Sequence, residues 1–167
     1  MGEQTAAVRE FWLEFCRRHG VDPDQRYDAF AFGDSAAMAD ELSGLVVSGP
    51  KRATAALLSD FGPGGEPLPE AGVHSVVLDG RGGPVCVIRT TEVVVKPLRE
   101  VDAAFAWDEG EGDRTLGDWL AGHRAYFTRE LARRGQAFSD DLPTVFERFE
   151  LVWAGAGGAD AAAGAQG

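Results

Sequence analysis

Two runs rich in Val, Ile and Thr, residues 73–78 and 85–95, flank the five residues Asp79-Gly80-Arg81-Gly82-Gly83. Such residues fit a pleated, half-buried surface, and a linker in which several residues accept positive φ turns one run back on the other. An antiparallel pair is therefore the frame that the other segments have to cover. The glycines do not make a phosphate loop, because no helix follows them and no Gly-Lys-Ser/Thr ending is present. Lys96-Pro97 stops the second run.

Helices are predicted on both sides of this pair. In residues 5–19, Val8, Phe11, Trp12, Phe15 and Cys16 recur at i, i+3, i+4, i+7 and i+8, the stripe of a helix lying on a core. Arg17, Arg18 and His19 complete its last turn before Gly20, which makes His19 a helix-end residue. Asp34 and Ser35 are N-cap residues for a second helix with Met38, Leu42, Leu45 and Val46 on one face, ended by Gly49-Pro50. Thr115 and Asp118 form a capping box for a third, over residues 116–134, in which Leu116, Trp119, Leu120, His123, Phe127 and Leu131 share a face. His123 on that stripe reads as a hydrogen-bonded core residue. Residues 27–33 read either as a short strand or as a packing loop, residues 99–106 as a short helix, and residues 61–72 as an irregular loop rich in Gly and Pro. In the last strand, residues 144–153, Glu147 shares a face with Val145, Phe149, Leu151 and Trp153. An inward carboxylate there needs Arg148, Lys51 or a hairpin arginine as partner, or a place beside a pocket.

With 167 residues, 44% of them hydrophobic, the chain builds one sizeable core, and a single domain over residues 1–153 is expected. The Gly- and Ala-rich residues 154–167 are expected to be disordered. The net charge of -11 speaks against a face that grips long nucleic acid through phosphates and favours a small or weakly charged ligand. A local basic cleft drawn from Lys51, Arg52, Arg81, Arg89 and Lys96 stays open. No run approaches the roughly 20 apolar residues of a membrane span and no secretory signal starts the chain, so a soluble, cytoplasmic protein without a membrane partner is expected. Cys16 and Cys86 form neither a disulfide framework nor a metal spacing, and His19, His74 and His123 are unrelated in spacing. No metal and no cofactor are expected.

Two short stretches carry the candidate chemistry. In Gly49-Pro50-Lys51-Arg52-Ala53-Thr54 a cation and a hydroxyl stand three positions apart after a helix stop, facing either solvent or a pocket. In Trp107-Asp108-Glu109-Gly110-Glu111-Gly112-Asp113 four acidic residues repel one another along a glycine-interrupted backbone, which predicts a loose, solvated loop. A helix dipole accounts for Asp113 and Glu111, and a calcium loop fails on ligand spacing.

The order of Phe32-Gly33-Asp34, Gly49-x-Lys51-x-Ala53-Thr54, the hairpin, Glu109-Gly110-Glu111-Gly112-Asp113, then Leu116, Trp119, His123, Phe127 and Glu147-Arg148-Phe149 resembles the ASCH (activating-signal-cointegrator homology) domain family. The resemblance implies an α+β single domain with a small PUA-like β-barrel flanked by helices and a cleft holding the lysine. It also implies one of two activities, amidohydrolysis of acetylated cytidine or ribonuclease action, metal-dependent or metal-independent, with a nucleoside or RNA as partner. Carried onto this chain, the catalytic set is Lys51, Thr54 and Glu111, with Glu109 the alternative carboxylate. Substrate-binding candidates are Arg52, Glu109, His123, Glu147 and Arg148. Ala56 stands where a serine often follows the threonine motif. An RNA-binding module and a domain without catalysis are the other readings. In the amidohydrolase reading the threonine hydroxyl needs a base, which a buried lysine supplies, unless that lysine stays charged and steadies an oxyanion. The carboxylate then positions the lysine or protonates the leaving amine.

Overall fold

The computed structural model describes residues 5–155. The expected tail from residue 156 onward lies outside them. Among the described residues the elements run α1 (Ala6–His19), β1 (Tyr27–Ala31), α2 (Ala36–Ser48), β2 (Ala53–Leu57), β3 (His74–Leu78), β4 (Pro84–Pro97), α3 (Ala103–Glu109), α4 (Leu116–Arg133) and β5 (Pro143–Trp153). The strands form one mixed sheet in the order β1-β3-β4-β5-β2. The hairpin is antiparallel, with Val76 opposite Val87 and Val77 opposite Cys86. The aromatic-rich residues 27–31 form the strand of the two readings, paired parallel to β3.

Contacts gather into two compact units. The first takes its described residues from 5–49, 70–91 and 149–155. Alternation along its hairpin separates two apolar clusters, as a pleated ribbon requires. Val76 and Val87 pack with Val8, Trp12, Phe15 and Cys16 of α1, whereas Val77, Cys86 and Ile88 pack with Leu42 and Val46 of α2. Thr5 caps α1 by accepting the Val8 N–H, and Ser35 caps α2 by accepting that of Met38.

The second unit comprises residues 50–69 and 92–148. Its core joins Ala53 and Leu57 of β2 and Phe146 of β5 to Phe105 and Ala106 of α3 and Trp119, Phe127 and Leu131 of α4. Phe105 meets Phe146 edge to face at 4.9 Å and Trp119 likewise at 6.1 Å. Burying each such aromatic contributes about 2 kcal/mol.

Two expectations are corrected here. The acidic stretch does not begin as a loose loop: α3 runs through Trp107 and Asp108 to Glu109 and stops at Gly110, whose φ is 72°. Its cap is Asp102, which accepts the Phe105 N–H and sets the helix four residues later than its expected start at residue 99. The cap of α4 is also not a reciprocal box. Thr115 Oγ1 accepts the Asp118 N–H, but Asp118 reaches back to the Asp113 N–H, and it is Asp113 that accepts from the Thr115 N–H and hydroxyl.

Candidate functional site

The two candidate stretches pack backbone to backbone inside the second unit. The Arg52 N–H donates to the Asp108 carbonyl at 2.6 Å. A Cβ placed on Gly110 would stand 2.3 Å from the Pro50 carbonyl oxygen and 2.7 Å from the Lys51 nitrogen, so only glycine permits this approach. Arg114, at φ 65°, donates from Nε to the Trp107 carbonyl at 2.9 Å and lays its guanidinium 3.7 Å from the Trp107 ring centre.

Lys51 is 1% exposed, deeper than the solvated turn lysine of the simplest expectation. Its Nζ donates to the Ala53 carbonyl at 2.8 Å, the Glu109 carbonyl at 3.4 Å and Glu111 Oε2 at 2.8 Å. Glu109 Oε1 lies 3.9 Å from the same nitrogen. Both glutamates therefore face the lysine, with Glu111 in direct contact. They differ in cover, the Glu111 side chain being 30% exposed and that of Glu109 3%.

Glu109 is held from α4. The Trp119 indole N–H donates to its Oε2, and His123 Nε2 lies 2.9 Å from its Oε1. His123 Nδ1 stands 2.9 Å from the Trp119 carbonyl, and the two rings stack at 3.8 Å. Trp119 and His123 are four residues apart, so one helical face delivers both donors.

The charges respond to these contacts. Burial alone raises the pKa of Glu109, but the His123 hydrogen bond and the Lys51 charge overrule it and bring the carboxyl down to about 2. Glu111 moves the other way: burial raises it, and the hydrogen bond and charge of Glu109 reinforce that rise against the pull of Lys51. His123 ends above its ordinary range, because the bond and charge of Glu109 outweigh burial, which disfavours the imidazolium.

The remaining candidates lie on β2, on β5 and next to Lys51 in the chain. Thr54 is half-buried on β2 and pairs directly across the ladder with Glu147, also half-buried. Paired residues share a sheet face, so both project away from the face carrying Ala53 and Phe146. Arg52 Nη1 donates to the Lys51 carbonyl at 2.8 Å. Arg148 bonds Asp108 Oδ2 at 3.2 Å and Glu92 Oε2 at 3.0 Å, with its guanidinium 5.2 Å from the Phe105 ring centre. Sequence reading assigned Trp119 to the core and gave Gly110 and Asp108 no part in the site. The i, i+4 spacing of Trp119 and His123, and the alternation of glycine with glutamate, were the available signals. Among the described residues no group of three or more His, Cys, Asp or Glu side chains is arranged to hold a metal ion, and no helix is long and apolar enough to cross a membrane.

No curated protein matches the chain. Solved structures do. An ASCH domain from Lactobacillus crispatus superposes with a TM-score of 0.83 at 28% identity, covering 92% of this chain and 98% of its own. Protein EF3133 from Enterococcus faecalis does so with a TM-score of 0.81 at 36% identity, covering 92% and 93%. The sequence profile of the ASCH domain matches residues 28–153. With four helices, one mixed sheet and these neighbours, the α+β fold implied by the resemblance is present, and the chain belongs to the ASCH domain family.

Proposed function

We propose that this protein hydrolyses the acylated exocyclic amine of a cytosine nucleoside, with acetylated cytidine as substrate. The observation that supports this reading is the buried Lys51 ammonium 2.8 Å from the partly exposed Glu111 carboxyl, three residues before Thr54. A proton moving across that hydrogen bond converts ammonium and carboxylate into amine and carboxylic acid, the base and acid that amide cleavage needs.

In the forward step Lys51, as the amine, takes a proton from a water that attacks the acyl carbon. The carbon–nitrogen bond breaks as Glu111 gives its proton to the leaving nitrogen, and cytidine and acetic acid depart. The pair resets by passing one proton from Lys51 back to Glu111. Between events Glu109 and the Ala53 carbonyl hold the lysine in place.

The test follows cytidine release from acetylated cytidine by chromatography, for the wild type and Lys51→Ala. Release by the wild type and a loss of about a thousandfold or more in the variant, with unchanged circular dichroism, is expected. No release by either protein rejects the reading.

A further inference from the structure

Glu111 follows the end of α3 and stands between Gly110 and Gly112, whose φ values are 72° and 60°. Glycine loses more backbone freedom on ordering than any other residue, so local propensity does not aim this carboxylate. Yet Oε2 lies 2.8 Å from Lys51 Nζ, 60 residues away in the chain. Arg114 supplies contacts that join the two. Its N–H donates to the Glu111 carbonyl at 3.1 Å and closes a turn over residues 111–114. From the same residue Nε donates to the Trp107 carbonyl at 2.9 Å and Nη2 to the Pro50 carbonyl at 3.4 Å, with the guanidinium stacked on the Trp107 ring. A planar fork that stacks while donating in two directions is a property of arginine that lysine lacks. The Trp107 carbonyl belongs to the last turn of α3, where the helix dipole favours a cation. The backbone gives a second, independent sign. Arg114 has φ 65°, and among the described residues every other positive φ belongs to glycine. A Cβ disfavours this conformation, so an arginine that adopts it is held there by the contacts of its side chain.

We propose that Arg114 is a positioning residue for Glu111: it straps the Glu111 turn to the end of α3 and to Pro50, and so sets the carboxylate at hydrogen-bond distance from the Lys51 ammonium. The catalytic consequence rests on the amidohydrolase reading, in which protons pass between Lys51 and Glu111. The placement of the carboxylate does not. Other contacts in this region hold the residues on either side. Gly110 packs on Pro50 and Lys51, the Arg52 N–H engages the Asp108 carbonyl, and Asp118 accepts the Asp113 N–H at 3.4 Å. Arg114 bonds the Glu111 carbonyl itself and, through one side chain, the residue that precedes the lysine.

The experiment is a double-mutant cycle on the full chain, read by denaturant titration. Arg114→Gly removes the guanidinium and accepts the left-handed backbone. Glu111→Gln changes the unfolding equilibrium constant by a factor that reflects the contact with Lys51. That factor is expected to differ by about fivefold or more between the wild-type and Arg114→Gly backgrounds, because residue 111 is no longer held on the lysine. A residue that served only the stability of the fold would leave the factor the same in both, and equal factors overturn the proposal. Arg114→Lys keeps the charge and one donor without the fork, so its factor is expected between the other two. If Arg114→Gly does not fold, a lysine variant whose factor equals that of the wild type overturns the proposal. In the rate arm, with acetylated cytidine, Arg114→Gly is expected to lower kcat by about tenfold and to keep KM within about twofold, with partial recovery in Arg114→Lys. An unchanged kcat overturns the positioning role. A wild type that releases no cytidine refutes the hydrolase reading alone, because the cycle still reports where Glu111 is held.

Discussion

Gly110 joins the two stretches that carry the candidate chemistry. Its left-handed backbone and the 2.3 Å that would separate an added Cβ from the Pro50 carbonyl oxygen leave room for no side chain. Gly110→Ala is therefore expected to lower stability by about 2 kcal/mol or more, through the left-handed penalty together with the displaced backbone. A denaturant titration measures it, and a variant as stable as the wild type would contradict this packing. At the same scale, Lys51, Glu109 and Glu111 were legible from residue type and order. What those features do not encode is depth. A lysine after a turn and a glutamate in an acidic run both suggest solvent, yet Lys51 is 1% and Glu109 2% exposed. Each neutralises the other across 58 residues of chain, and no local pattern reports such a pairing.

The elements α3 and α4 are docked by more than their apolar faces, since Glu109 ends one and Trp119 and His123 lie on the other. This gives their packing a pH dependence of definite sign. Glu109 is lowered from 4.5 to about 2, so its contribution is whole above 4.5 and lost as pH falls through about 2. It amounts to roughly 3 kcal/mol. His123 is raised from 6.5, so its contribution is whole below that value and lost as pH rises through the higher folded value. Unfolding midpoints are expected to peak between about 4.5 and 6.5, with the alkaline decline flattened in His123→Gln. Thermal melts across a pH series check this, and an identical alkaline decline in the variant would remove His123 as its source. The helix at 116–133 was legible because its stripe is long and regular. The extent of α3 was not, because alternating glycine and acid outweigh a seven-residue helix whose stability comes from burying Phe105 and Ala106. The parallel pairing of β1 with β3 was likewise hidden, since parallel partners are distant in sequence and no turn announces them.

Over the whole molecule the net charge of -11 disfavours polyanions and leaves an uncharged nucleoside unaffected. Hydrolysis of acetylated cytidine is expected to change by less than about twofold between 50 and 300 mM salt, whereas a reaction that depended on phosphate contacts would fall steeply. Initial rates across a salt series separate the two. The family itself was legible at this scale, from the order of short motifs along most of the chain, none of which is specific alone. The stacking of Trp119 on His123 has one more consequence. An indole stacked 3.8 Å from an imidazole, with its N–H on a carboxylate, is quenched more strongly when that ring gains a proton, so protonation of His123 is expected to dim the protein's own fluorescence, without any label.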